Sequence, residues 1–269
     1  MMIHMPGESY QGPLPPVTQE IEALEHELQS YVYTLGSDIG ERNLFQYPKL
    51  LKAAEYIEAT LADSGYEVRR QAYEVRGQIA ENLVAEMPGT EKRDEIVVIG
   101  AHYDSVRGSP GANDNGTGVA AMLALARAFS TIQPLRTLRF LAFVNEEPPF
   151  FQTRHMGSRV YAKRSSQVGE NIILMISLET IGYYVDEPGS QSYPFPLSLI
   201  YPSTGNFIGF VSNVENRSWV RYFVGAFREH TQFPSEGGAL FGWIPGVGWS
   251  DHWAFWKEGY PAIMVTDTA

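Results

Sequence analysis

The stretch V97-V-I-G-A-H-Y-D-S-V-R-G-S-P-G-A-N-D-N-G-T-G-V-A-A-M122 decides the reading of this chain. It opens with a β-branched apolar run, passes through a polar glycine-rich loop, and closes in an apolar segment with helical spacing. A strand, a loop and a helix in that order form the first half of a crossover unit in a largely parallel sheet. Within the loop and its edges stand His102, Asp104 and Asp114. Charged groups beside a backbone about to be buried need a partner, because unpaired buried carboxylates cost several kcal/mol.

Working outward, apolar Ile21, Leu24, Leu28, Val32 and Leu35 recur at helical spacing, and Gly36 is expected to end that helix. Leu50, Ala54, Ile57 and Leu61 mark a second amphipathic helix. Residues 66–89 alternate as two strands turning near Gly77, an edge hairpin. Strands are expected at 95–102, 137–147, 171–184 and 261–267, with helices at 117–129, 156–165 and around 220–233. The pattern predicts one α/β domain, with a mixed, mostly parallel central sheet and helices on both faces. Residues 1–16, rich in Pro and Gly, read as an extended segment, and 17–269 as the domain proper. No internal repeat or linker divides the chain.

Composition narrows the function. The 269 residues carry a net charge of -11, and no basic patch is visible to neutralise phosphates, which excludes nucleic acid as a partner. Apolar residues at 44% and charged residues at 19% describe a globule rather than a disordered chain. Cysteine is absent, so the fold uses no disulfide. No apolar run approaches the roughly 20 residues of a membrane-spanning helix. No signal-peptide core is visible, and the compartment is left open.

Three strand ends carry acids: Asp104 with His102 after the first, Glu146 and Glu147 after "FLAFVN", and Glu179 after "ILMISL". Ligands of such sheets sit beyond the carboxyl ends of the strands. Taken singly, a histidine at a strand end is more often a hydrogen-bonded core residue, and paired glutamates are more often helix surface. Here Pro148-Pro149 forbids a simple continuing helix after the glutamates, and few Lys or Arg residues adjoin the acids. A metal centre accounts for the whole set. Imidazole and carboxylate without thiolate suit zinc, and the surplus of carboxylates suits two ions sharing one bridging group.

The motifs H-Y-D-S, G-A-N-D-N-G-T-G, N-E-E and S-L-E-T-I-G-Y, in this order, closely resemble the di-zinc aminopeptidases of peptidase family M28, whose relatives include glutamate carboxypeptidases and glutaminyl cyclases. The resemblance runs from about residue 40 to the end. It implies that His102 and Glu179 hold one zinc, that Glu147 holds the other, and that Asp114 bridges them. Glu146 would be the general base acting on a water activated at the metal, and Asp104 would orient His102. It also implies a non-proline cis peptide at Asp114-Asn115. Gly111, Gly116 and Gly118 would let the backbone approach the crowded centre.

The implied activity is hydrolysis of the amino-terminal peptide bond of a peptide substrate. Cyclisation of amino-terminal glutamine and a catalytically silent interaction domain are the alternatives. In the family a second ligating histidine lies near the carboxyl end in a stretch resembling "HYHTPEDT". This sequence ends at "MVTDTA", so the domain is expected to be truncated there and its second zinc site weak or absent. The resemblance places His252, in "SDHWAFW", in a neighbouring motif whose Asp251 and His252 line the site without ligating, the alternative being that His252 substitutes for the missing histidine ligand. His4, His26, His155 and His230 have no comparable context. The aromatic-rich segment 193–210 reads equally as a specificity wall and as a surface loop with an edge strand.

Overall fold

A computed structural model describes residues 4–267. Eight strands form a single sheet in the order β1-β2-β4-β3-β5-β8-β6-β7. β1 (Val68–Val75) and β2 (Gln78–Met87) make the expected hairpin. Its tight turn is Arg76-Gly77, both at positive φ, as a two-residue hairpin loop demands. The centre is parallel: β4 (Arg136–Phe143), β3 (Lys92–His102), β5 (Ile172–Glu179) and β8 (Ala262–Thr266) run side by side. β6 (Ile208–Asn213) reverses against β8, and β7 (Ser235–Leu240) pairs parallel with β6 at the sheet's edge. Parallel pairs therefore outnumber antiparallel ones, as the sequence implied.

Helices cover both faces. α2 (Tyr47–Asp63) and α3 (Gly116–Phe129) pack Ile57, Leu61, Met122 and Leu123 against Leu83 and Phe140 of the sheet. α4 (Gly157–Val168) and α6 (His252–Trp256) set Tyr161 and Phe255 against Phe143 and Met175 on the opposite face. α5 (Arg217–His230) buries Val220 and Val224 against Phe210 and Ile263. Residues 4–18 form no helix or strand, although Met5 is buried in the α5 cluster. No helix of the described residues is long and apolar enough to cross a membrane.

Three local expectations change. Gly36 does not end the first helix: α1 (Gln19–Tyr33) passes into a wider π-helical turn, Thr34–Ile39, that stops at Gly40, where φ is 73°. Gly36 is instead a contact residue, since a Cβ there would meet the Ala112 Cβ at 2.8 Å. The apolar stripe of α1 is also less covered than its spacing suggested, with Ile21 47% and Leu24 42% exposed. Finally, the strand beginning in the aromatic segment, β6, is internal rather than an edge, because the glycine-rich β7 lies outside it.

Candidate metal centre

The carboxyl ends of the parallel strands converge because adjacent parallel strands finish on one side of the sheet. β3 ends on His102 and β5 on Glu179, and the loop after β4 carries Glu146 and Glu147. Asp114 comes from the loop that feeds α3. The His102 imidazole is buried, with Nε2 at 3.2 Å from Asp114 Oδ1, 3.4 Å from Glu179 Oε2 and 3.8 Å from Glu146 Oε2. No neighbour meets hydrogen-bond geometry with that nitrogen, which is shielded from solvent. One donor atom from each of His102, Asp114 and Glu179 lies within 4.8 Å of the others. An unpartnered buried imidazole nitrogen facing two carboxylates is what a cation-binding set requires.

The other ring nitrogen is occupied. His102 Nδ1 lies 3.2 Å from the Asp104 carbonyl and 3.5 Å from its Oδ1, which leaves Nε2 to face the acids. Asp104 also accepts the backbone N–H of Glu146 at 3.1 Å and of Glu147 at 3.2 Å. One carboxylate thus fixes both the imidazole and the loop bearing the two glutamates. Glu147 stands outside the compact three-residue group, yet its Oε1 is also buried without a hydrogen-bond partner.

Electrostatics follow from crowding acids out of water. Burial raises the Glu146 carboxyl well above its usual range, reinforced by Glu179, Asp251 and Asp104 and opposed by His102. Burial likewise raises Glu147 to about 7. For His102 burial works the other way, but the charges of Glu179 and Glu146, with Asp104 and Asp114, raise it well above an ordinary imidazole.

The glycine-rich loop takes its shape from close approaches. Gly111 has φ of 61°, and a Cβ on Gly118 would strike the Leu178 carbonyl oxygen at 2.4 Å. The Asp114-Asn115 peptide is cis.

Several supporting residues were not singled out in the sequence. Arg42 is fully buried, and its guanidinium donates to the carbonyls of Tyr103, Leu35, Gly40, Pro110 and Gly111. Burial lowers it to about 10, while Asp104, Asp114 and Glu147 pull the other way, so it stays cationic at neutral pH. Nothing around position 42 signals this. Ser250 donates to Glu179 Oε2 at 2.7 Å, a role available from the "SDH" triplet. Asn115 caps α3 and ties it to β5. His252 lies outside the three-residue group; its Nε2 is 2.8 Å from the Val247 carbonyl, and burial lowers its pKa to about 4. His4, His26, His155 and His230 also lie outside it. Tyr193, Leu197 and Tyr201 of the aromatic segment line a cavity beside the centre, whereas Phe195 is 83% exposed.

A profile of Peptidase family M28 matches residues 82–269. The uncharacterized protein YfbL of Escherichia coli (strain K12) is 36% identical over 256 residues, covering 92% of this chain and 78% of that protein. The Aminopeptidase YwaD of Bacillus subtilis (strain 168) is 37% identical over 98 residues, 35% of this chain but only 22% of that protein. Among solved structures, BSAP, a zinc aminopeptidase from Bacillus subtilis, superimposes with a TM-score of 0.71 at 15% identity, covering 90% of this chain and 84% of that one.

Proposed function

Since the chain belongs to peptidase family M28, we propose that it is a zinc-dependent aminopeptidase with its centre at the carboxyl ends of β3, β4 and β5. The observation that carries this reading is the buried, unpartnered His102 Nε2 facing the carboxylates of Asp114 and Glu179. In the proposal His102 and Glu179 would hold one zinc, Glu147 would contribute to a second, and Asp114 would serve both. Zinc, when bound, supplies Lewis-acid polarisation of the scissile carbonyl and a lower pKa for the attacking water.

The remaining steps belong to the protein's own side chains. Glu146, beside the His102 ring, takes a proton from the attacking water as its carboxylate. It then returns that proton to the departing amine, a transfer that burial of the carboxyl favours by raising its pKa. Asp104 keeps the loop of Glu146 in register with His102 throughout. Ser250 fixes the carboxylate of Glu179.

The test is metal content with turnover. After equilibration with excess zinc, the protein should retain zinc through dialysis and release the amino-terminal residue of leucyl-p-nitroanilide or a leucyl dipeptide. His102→Ala should lose both properties. Zinc retention unchanged in His102→Ala removes the centre from this site. Conversion of glutaminyl peptides to their cyclic form without hydrolysis of leucyl substrates makes the protein a cyclase.

A further inference from the structure

Beside the centre lies a cavity of about 570 Å³ that reaches from Asp114 and Glu179 to a carboxylate the proposed chemistry does not use, that of Glu236. The sheet lays out the path. Glu179 pairs with Thr266, Thr266 with Gly209, and Gly209 with Glu236, so these residues form one row across four strands. Three strand spacings of about 4.8 Å separate its ends. Residues directly opposite one another share a face, and this face is the one turned away from α5, because Phe210 packs on that helix while Gly209 and Val211 line the cavity.

Small and apolar residues make the row a trough. Gly209 and Gly238 leave its floor open; a Cβ on Gly238 would meet the Tyr201 hydroxyl at 2.8 Å. Val211, Leu240 and Met264 supply apolar walls, and Leu197 and Trp249 border it from the loops. At the far end, the Glu236 side chain is 24% exposed and accepts no hydrogen bond from the described residues. Arg228 approaches only to 4.0 Å and spends its donors elsewhere, on Ser235 and on the carbonyls of Pro6 and Gly7. Burial raises the phenols of Tyr193 and Tyr201, and the nearby Glu236 charge adds to both shifts.

We propose that Glu236 is a specificity-determining residue that selects peptides whose amino-terminal side chain is basic, lysine or arginine. This rests on the aminopeptidase reading of the adjacent centre. An apolar stem with a cationic head matches a trough with apolar walls and an acid at its end. The substrate's cation supplies the hydrogen-bonded counter-charge that Glu236 lacks. Tyr193 and Tyr201 line the same cavity, where a cation can meet an aromatic ring. A net charge of -11 favours the approach of basic peptides generally.

Lysine and norleucine share a stem and differ in the charged amine, so they isolate the effect. Zinc-loaded protein should cleave lysyl-p-nitroanilide with kcat/KM about 10- to 100-fold above the norleucyl compound. Glu236→Gln, which keeps shape and volume, should bring that ratio to within about twofold, and Glu236→Lys should invert it. Norleucyl turnover equal to or above lysyl turnover, or a ratio untouched by Glu236→Gln, overturns the specificity while leaving the aminopeptidase standing. If no aminoacyl substrate is cleaved, the aminopeptidase reading fails by itself. Calorimetric binding of L-lysine against L-norleucine then decides the trough: equal binding overturns the inference, and a lysine preference lost in Glu236→Gln upholds it.

Discussion

The Asp104 carboxylate accepts the backbone N–H of Glu146 at 3.1 Å, so the strand that ends in His102 and the loop that carries the proposed base are held by one side chain. Asp104→Asn removes the charge and presents an N–H₂ group to a backbone N–H at one of its two sites. Zinc affinity or turnover should fall by about 10- to 100-fold, with the unfolding midpoint changing far less. Competition against a chromogenic chelator measures the first and thermal melting the second. Unchanged affinity and rate would show that His102 needs no such support.

Glu146 and Glu147 should separate by phenotype. Glu146→Gln is expected to keep its zinc and lose about 10²–10⁴-fold in turnover, the usual worth of a positioned base. Glu147→Gln should lose metal first, with activity partly recovered in excess zinc. Metal analysis alongside kinetics distinguishes the two. The reverse assignment would exchange their roles, and full activity in both variants would remove the pair from the mechanism.

Arg42 should matter for stability rather than for chemistry. Arg42→Met strands the carbonyls of Tyr103, Pro110 and Gly111 that its guanidinium now satisfies. A loss of about 3–5 kcal/mol in urea unfolding is expected, as several buried carbonyls lose their donor at once. Arg42→Lys retains the charge but not the planar fork, and should fall between. A loss below about 1 kcal/mol for Arg42→Met would count against this account.

Asp251 gives the zinc-free protein a pH dependence. Burial raises its carboxyl from 3.8 to about 7, with Glu179 and Asp104 adding to the effect. A folded-state value above the unfolded one contributes stability that is fully present below 3.8 and is lost as pH rises through about 7. The loss from this group amounts to roughly 4 kcal/mol at most. Asp251→Asn should therefore be the more stable protein at pH 8 in chelator, and should show a flatter stability profile from pH 4 to 8. Parallel profiles for the two proteins would refute it.

The sequence was most readable where a few neighbouring residues settle the outcome. The run before His102 and the alternation about Gly77 specify local structure, and both elements form as expected. His102, Asp114 and Glu179 come together because each sits at or beside the carboxyl end of a parallel strand, a position that strand order alone implies. Arg42 was opaque because its five carbonyl partners depend on chain segments up to 69 residues away. β7, Ser-Glu-Gly-Gly-Ala-Leu, was missed because two adjacent glycines carry no strand preference. Gly238 answers to the cavity, where a Cβ would meet the Tyr201 hydroxyl, whereas a Cβ on Gly237 would meet Val224 at 2.7 Å on the α5 side.

Asn115 receives the N–H of Gly118 and of Thr180 on one oxygen and donates to the Leu178 carbonyl at 2.8 Å. It therefore grips the residues on either side of Glu179 and, through its own neighbour, the backbone of Asp114. Folding thus sets the backbone at two of the three proposed donors, Asp114 and Glu179. Loading the proposed centre would then demand no ordering of these two loops. The fold works as a socket rather than a clasp.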